Sequence, residues 1–144
     1  MILAIALAFA LPAPTKLVEG GLCTGLAWVA VPTDATATVS EGPDFTVYYV
    51  DRGTTALFGV YVGGYPMVSA DTGKTLVEID GLAVRPSHRG ATFQGYVVGN
   101  ADYLKNHFFG AAFKDDAGDA AFFRRALFGK AAAARCNPSS GASK

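Results

Sequence analysis

The chain has 144 residues, and its 12 Lys and Arg balance its 12 Asp and Glu, so the formal net charge is zero. This length predicts one domain, and the balanced charge argues against a nucleic acid as a partner, because polyanion binding depends on surplus cations. Apolar residues make up 51% of the chain and are spread throughout it, so folding can remove roughly two-thirds of the unfolded surface from water.

The N-terminal residues 1–11 are apolar and uncharged. The run is shorter than the roughly 20 residues of a transmembrane helix and matches the about 7 to 15 of a signal peptide, with Ala8-Phe9-Ala10 before a cleavage point. We predict a signal peptide at 1–10, an N-terminal extension at 11–22, a periplasmic or secreted protein and no stable membrane anchor after leader removal. No Lys or Arg precedes the run, so either the true start lies upstream or the α-amino group alone supplies the positive charge. The alternative is a buried N-terminal strand or helix of the domain.

Two cysteines, Cys23 and Cys136, lie near opposite ends of the expected mature chain, and neither belongs to a Cys-x-x-Cys motif. In an oxidising compartment such a pair predicts a disulfide that closes the ends of a single domain over 23–136. In the chain-entropy model this bond contributes about 4 to 5 kcal/mol. The alternative is two unrelated free thiols. The small, polar residues 137–144 are expected to form a flexible tail.

Short runs of β-branched and aromatic residues predict strands along most of the chain. Two short strands within 26–40 flank a turn at Pro32-Thr33-Asp34. The densest runs, 45–50 and 57–62, predict a β-hairpin around Gly53, and both of its faces are expected to be covered because neither is polar. Further strands are expected at 75–79, 82–84, 91–98 and 103–109, with a loop at 86–90.

A helix is predicted at about 119–134. Acidic residues, including Asp115, Asp116 and Asp119, precede apolar residues at helical spacing, and basic residues follow, which suits the helix dipole. The predicted fold class is therefore α+β, an antiparallel β-sheet with a C-terminal helix packed on one face.

The sequence contains no catalytic or metal-binding motif that we recognise. The two histidines, His88 and His107, have neither the mutual spacing nor the neighbouring ligands of a zinc site, so no metal, cofactor or catalytic residue is predicted. Because Ser87 adjoins His88, a small exported hydrolase with a dispersed Ser/His/Asp site stays open as an alternative.

Two surfaces emerge if the strands form an antiparallel meander. At one end, the turn with Arg52 and the loop with Arg85, His88 and Arg89 would come together. Guanidinium forks suit carboxylate or phosphate groups, so these four residues are the predicted ligand-binding set. The alternative is that they are ordinary solvated turn residues.

At the opposite end of the expected meander, Tyr65 and Met67 would meet Tyr103. Exposed Tyr and Met side chains are frequent in protein interfaces, so these three residues are the predicted protein-contact set. The alternative is that they cap an edge of the core.

The segments 42–49 and 59–66, Gly-Pro-Asp-Phe-Thr-Val-Tyr-Tyr and Gly-Val-Tyr-Val-Gly-Gly-Tyr-Pro, resemble small uncharacterised exported bacterial proteins that are similar to the PsbP-like class. The resemblance implies an antiparallel sheet flanked by helices and a noncatalytic role in binding or assembling a larger complex. Our leading prediction is an exported binding or accessory protein that engages another exported or envelope protein, or an anionic small ligand. A purely structural envelope protein is a further alternative.

Overall fold

A computed structural model describes residues 12–99 and 103–137. The predicted leader at 1–10 lies outside these residues, as does the predicted tail beyond Asn137. Within the described residues the chain is mostly antiparallel sheet with two short helices, so the α+β class holds in its coarse form. The strands are β1 (Ala13–Pro14), β2 (Gly21–Cys23), β3 (Ala27–Ala30), β4 (Thr36–Glu41), β5 (Phe45–Arg52), β6 (Thr55–Gly63), β7 (Ser69–Ala70), β8 (Val77–Ile79), β9 (Leu82–Arg89), β10 (Thr92–Gly99), β11 (Lys105–Phe109) and β12 (Leu127–Phe128), and the helices are α1 (Asp119–Arg124) and α2 (Gly129–Cys136).

The described strands form two sheets. The large sheet has the order β1-β4-β5-β6-β11-β10-β9, and both β7 and β8 pair with β9. The small sheet has the order β12-β3-β2. The predicted hairpin is confirmed as β5 and β6. The meander is wrong, because β11 pairs with β6 and thereby separates β6 from β9.

The strand register gives the large sheet one mostly buried face. Tyr48, Val60, Phe108 and Tyr96 form one row across β5, β6, β11 and β10 on this inner face. Phe123 of α1 packs against it, with its ring centroid 5.2 Å from that of Phe108 and 5.3 Å from that of Tyr96. The core therefore lies between the inner face, α1 and the small sheet.

The prediction of one continuous helix at 119–134 is wrong. Leu127 and Phe128 are extended and pair with Trp28 and Ala27 of β3. Gly129 then takes a φ of +57°, a left-handed conformation that costs glycine little. The backbone pairing with β3 overrides the local helical spacing, so the segment forms α1, a short strand and α2.

The prediction of a loop at 86–90 is wrong as well, because β9 runs without interruption through Pro86 to Arg89. Proline lacks an N–H for the ladder. The pairing of β9 with β10 shifts register between Phe93 and Tyr96, and Pro86 lies opposite Tyr96 at this irregularity. The strand therefore accommodates a residue that normally marks a loop.

The predicted disulfide is confirmed: Cys23 and Cys136 are bonded, with their Cα atoms 5.9 Å apart. The bond joins β2 to the last residue of α2. The segment 11–22, predicted as an extension, includes β1, which pairs with β4, and Leu22, which is fully buried in the core.

Candidate functional site

The outer face of the large sheet carries a row of large side chains. Val47, Tyr61 and His107 are aligned across β5, β6 and β11, and Tyr49, Gly59 and Phe109 form the next row. Alternation along each strand places these residues opposite the core. We call Val47, Tyr49, Tyr61, His107 and Phe109, together with Met67 from the loop after β6, the aromatic face.

Gly59 gives the aromatic face its shape. The ring of Phe109 lies directly over this glycine, and a Cβ atom at that position would come within 2.3 Å of the ring. Tyr49 contacts the same ring edge-on, with the centroids 6.5 Å apart. The result is a shallow groove of about 310 Å³ on a face that is only partly covered by the loop after β6.

His107 lies at the floor of this groove and is 8% exposed. Its Nε2 hydrogen-bonds the backbone carbonyl of Gln94. Burial lowers the pKa of His107 and outweighs the opposing effect of the hydrogen bond to Gln94, while the nearby Arg89 acts in the same direction as burial. Because a carbonyl oxygen only accepts, Nε2 donates its N–H in this bond.

The same carbonyl accepts a second hydrogen bond, from Oγ of the fully buried Ser87 at 3.0 Å. Gln94 belongs to the irregularity in β10, where Gly95 has a φ of +82°. Ser87 and His107 thus both stabilise the irregular backbone of β10 at Gln94. His88 instead packs against Phe93, with the ring centroids 6.1 Å apart. In the hydrogen bonds that the described residues form, neither imidazole meets a carboxylate.

The three predicted protein-contact residues come together at one end of the aromatic face. Tyr65 is 75% exposed, Met67 is 79% exposed and Tyr103 is 52% exposed. The rings of Tyr65 and Tyr103 meet edge-on at 5.6 Å, and the Tyr103 ring covers Gly64, where a Cβ atom would lie 2.0 Å from it. Met67 also lines the groove, so this cluster is continuous with the aromatic face.

The four predicted ligand-binding residues do not form one cluster. Arg85 donates to the carbonyls of Thr72 and Lys74 at 2.8 and 3.2 Å, and Arg89 donates to the carbonyl of Met67 at 3.3 Å. These two arginines therefore fasten the long connection after β6 onto β9.

Arg52 lies elsewhere on the sheet. The order of the strands places β5 four steps from β9, which is about 19 Å at the usual interstrand spacing. Its Nε is 2.6 Å from Oδ2 of Asp34. Arg52 is therefore separate from Arg85 and Arg89.

Sequence reasoning missed the groove itself. Its residues come from β5, β6, β9, β10, β11 and the loop after β6, and no local spacing brings them together. A signal was present in β5, where Phe45, Val47 and Tyr49 alternate on one face that is too apolar for ordinary solvent exposure. Such a strand predicts two apolar faces. The expectation that both are covered is wrong for the outer face, where Tyr49 is 36% exposed.

Two further properties concern the described part of the chain. Within 12–99 and 103–137, no group of three or more His, Cys, Asp or Glu side chains is placed to hold a metal ion. No helix in those ranges has the length and apolar character required to cross a bilayer.

Comparison with protein-family models, with curated proteins and with solved structures finds no match for the chain.

Proposed function

We propose that this chain is an exported, noncatalytic binding protein that engages another exported or envelope protein through the aromatic face and the adjoining cluster of Tyr65, Met67 and Tyr103. One observation carries the proposal. The exposed large apolar side chains of the described residues are Tyr49, Tyr65, Met67 and Tyr103, and all four lie on the outer face or at its end. Scattered apolar residues are ordinary on a surface, whereas a contiguous patch marks an interaction site.

The chemistry of the patch suits a protein partner. Tyr and Met are enriched at the centres of protein interfaces, and Tyr is among the residues that contribute most of the binding energy there. Tyrosine loses little conformational entropy on binding because it has only two side-chain torsions. The groove is shallow and open, which favours a protein segment over a small molecule that requires enclosure.

Two observations favour export. The Cys23–Cys136 disulfide is compatible with an oxidising extracellular compartment. The apolar residues 1–11 have the length of a signal-peptide hydrophobic region. The resemblance to the PsbP-like class implies the same noncatalytic role and remains part of the proposal.

The test is capture of partners by the mature, oxidised protein from an extract of its own organism. A variant with Tyr65→Ser, Met67→Ser and Tyr103→Ser removes the exposed cluster without touching the core. A matched control carries Lys114→Ser, Arg124→Ser and Lys130→Ser, three exposed positions away from the aromatic face. We expect the control to retain the captured partner and the cluster variant to lose it. Equal capture by both variants, or no saturable capture by the unmodified protein, would overturn the proposal.

A further inference from the structure

A second cleft, separate from the aromatic face, lies between the end of the β5–β6 hairpin, the chain after β3 and helix α1. Its volume is about 350 Å³, which is at the small end of ligand pockets. Val31, Leu57, Phe58 and Phe122 form its apolar wall, and the rings of Phe58 and Phe122 meet edge-on at 5.2 Å. Within this wall, Val31 and Phe58 are buried, and Leu57 and Phe122 are partly buried.

An irregularity in the hairpin creates this wall. Val50 pairs with Phe58 and Asp51 pairs with Ala56, so Leu57 is an extra residue on β6. A bulge of this kind directs two successive side chains towards one region. Leu57 and Phe58 consequently both line the cleft, although they are neighbours in a strand.

The charged residues that line the cleft are both arginines, Arg52 and Arg125, and its other nine lining residues are apolar. Arg52 presents Nε and Nη2 to Asp34, which leaves further N–H groups on its guanidinium. The ion pairs formed by the described residues are Arg52–Asp34 and Arg135–Glu19, so Arg125 has no carboxylate partner among them. At the rim of this apolar cleft, the guanidinium of Arg125 can therefore bind an anion.

We propose that this cleft binds a medium-chain carboxylate, with the aliphatic body against Val31, Leu57 and Phe58 and the carboxylate on Arg125 and the remaining N–H groups of Arg52. A planar carboxylate matches one guanidinium fork with two parallel hydrogen bonds. A chain of about eight to twelve carbons suits a pocket of this size. This site is independent of the protein contact proposed for the aromatic face.

The experiment is calorimetric titration of the mature, oxidised protein with decanoate below its micelle concentration. Decan-1-ol provides the same chain without the charge, butyrate provides the carboxylate without the chain, and decyl phosphate tests the alternative head group. We expect saturable one-to-one binding of decanoate and much weaker binding of the three other ligands. Decan-1-ol or decyl phosphate binding as tightly as decanoate would overturn the assignment to a carboxylate, and so would no saturable binding of decanoate.

Adjacent arginines supply a matched pair of variants. Arg125 lines the cleft, whereas Arg124 is exposed and does not. We expect Arg125→Gln to weaken decanoate binding by about tenfold to a hundredfold, the range of a lost charge-assisted hydrogen bond, and Arg124→Gln to leave it unchanged. Equal effects of the two variants would refute the proposed site. The Tyr65, Met67 and Tyr103 variant is expected to bind decanoate normally, which separates this test from that of the protein contact.

Discussion

The phenol of Tyr96 donates a 2.5 Å hydrogen bond to Oδ2 of Asp119, and both residues are buried. The same carboxylate accepts the backbone N–H groups of Lys114 and Asp115, each at 3.0 Å. Asp119 is the first residue of α1, so this contact fastens the start of the helix to β10 on the inner face. A buried carboxylate is tolerated here because several donors satisfy it.

We expect Tyr96→Phe to lower the free energy of unfolding by about 1 to 3 kcal/mol, because it removes one donor from a buried carboxylate. Tyr49→Phe is the matched control, since Tyr49 lies on the outer face and is 36% exposed. Urea unfolding of both variants measures the difference. Similar losses in the two variants would contradict the role of the Tyr96–Asp119 bond.

The same bond predicts a loss of stability at alkaline pH. Burial, followed by the hydrogen bond to Asp119, raises the pKa of Tyr96 above its ordinary value. The unfolded chain releases this proton near pH 10, whereas the folded protein retains it. The contribution of Tyr96 to the free energy of unfolding is therefore fully present below about pH 10 and declines above it. We expect Tyr96→Phe to show a shallower alkaline decline in urea unfolding, and an unchanged decline would count against this assignment.

His107 predicts a loss of stability on the acidic side. Its pKa is lowered, mainly by burial, so the unfolded chain takes up this proton near pH 6.5 while the folded protein takes it up only at lower pH. The contribution of His107 to the free energy of unfolding is therefore fully present above about pH 6.5 and declines as the pH drops below this value. Urea unfolding at about pH 7.5 and about pH 5 measures the slope. His107→Gln is expected to reduce it, and an equal slope in the variant would disprove the prediction.

The disulfide predicts a large effect on stability. The two cysteines are 113 residues apart in sequence, and in the chain-entropy model replacing both by Ser costs about 4 to 5 kcal/mol. Urea unfolding of the double variant, compared with the oxidised and the reduced unmodified protein, measures this cost. The reduced protein should match the variant. A loss below about 1 kcal/mol would show that the bond does not restrict the unfolded chain as expected.

Two glycines with similar backbone conformations are expected to differ strongly in their tolerance of alanine. Gly95 has a φ of +82°, and a Cβ atom there would lie 1.9 Å from the carbonyl oxygen of Phe108. Gly53 has a φ of +59°, and no atom lies within 4 Å of the position of its Cβ. We expect Gly53→Ala to cost about 1 to 2 kcal/mol, the cost of the left-handed conformation, and Gly95→Ala to cost about 3 kcal/mol or more. Thermal and urea unfolding distinguish them, and equal costs would contradict the close approach at Gly95.

Part of the candidate site is predictable from sequence. Tyr65 and Met67 lie beside Gly63, Gly64 and Pro66, a pattern that predicts a loop and hence exposure. The groove of the aromatic face is not predictable in this way, because it depends on β11 pairing with β6. Once that pairing forms, Tyr61 and His107 become neighbours although they are far apart in the chain.

The sequence by itself determined the local features of this protein. The hairpin of β5 and β6 follows from two β-rich runs around Gly53, and the disulfide follows because two cysteines allow one intramolecular pair. Only the tertiary structure decided that Arg52 and Arg125 line the same cleft and that the predicted C-terminal helix is interrupted by a strand. The physical reason is that the choice of partner strand depends on backbone hydrogen bonds and burial summed over whole sheets, and this sum cannot be evaluated from residues that are neighbours in the chain.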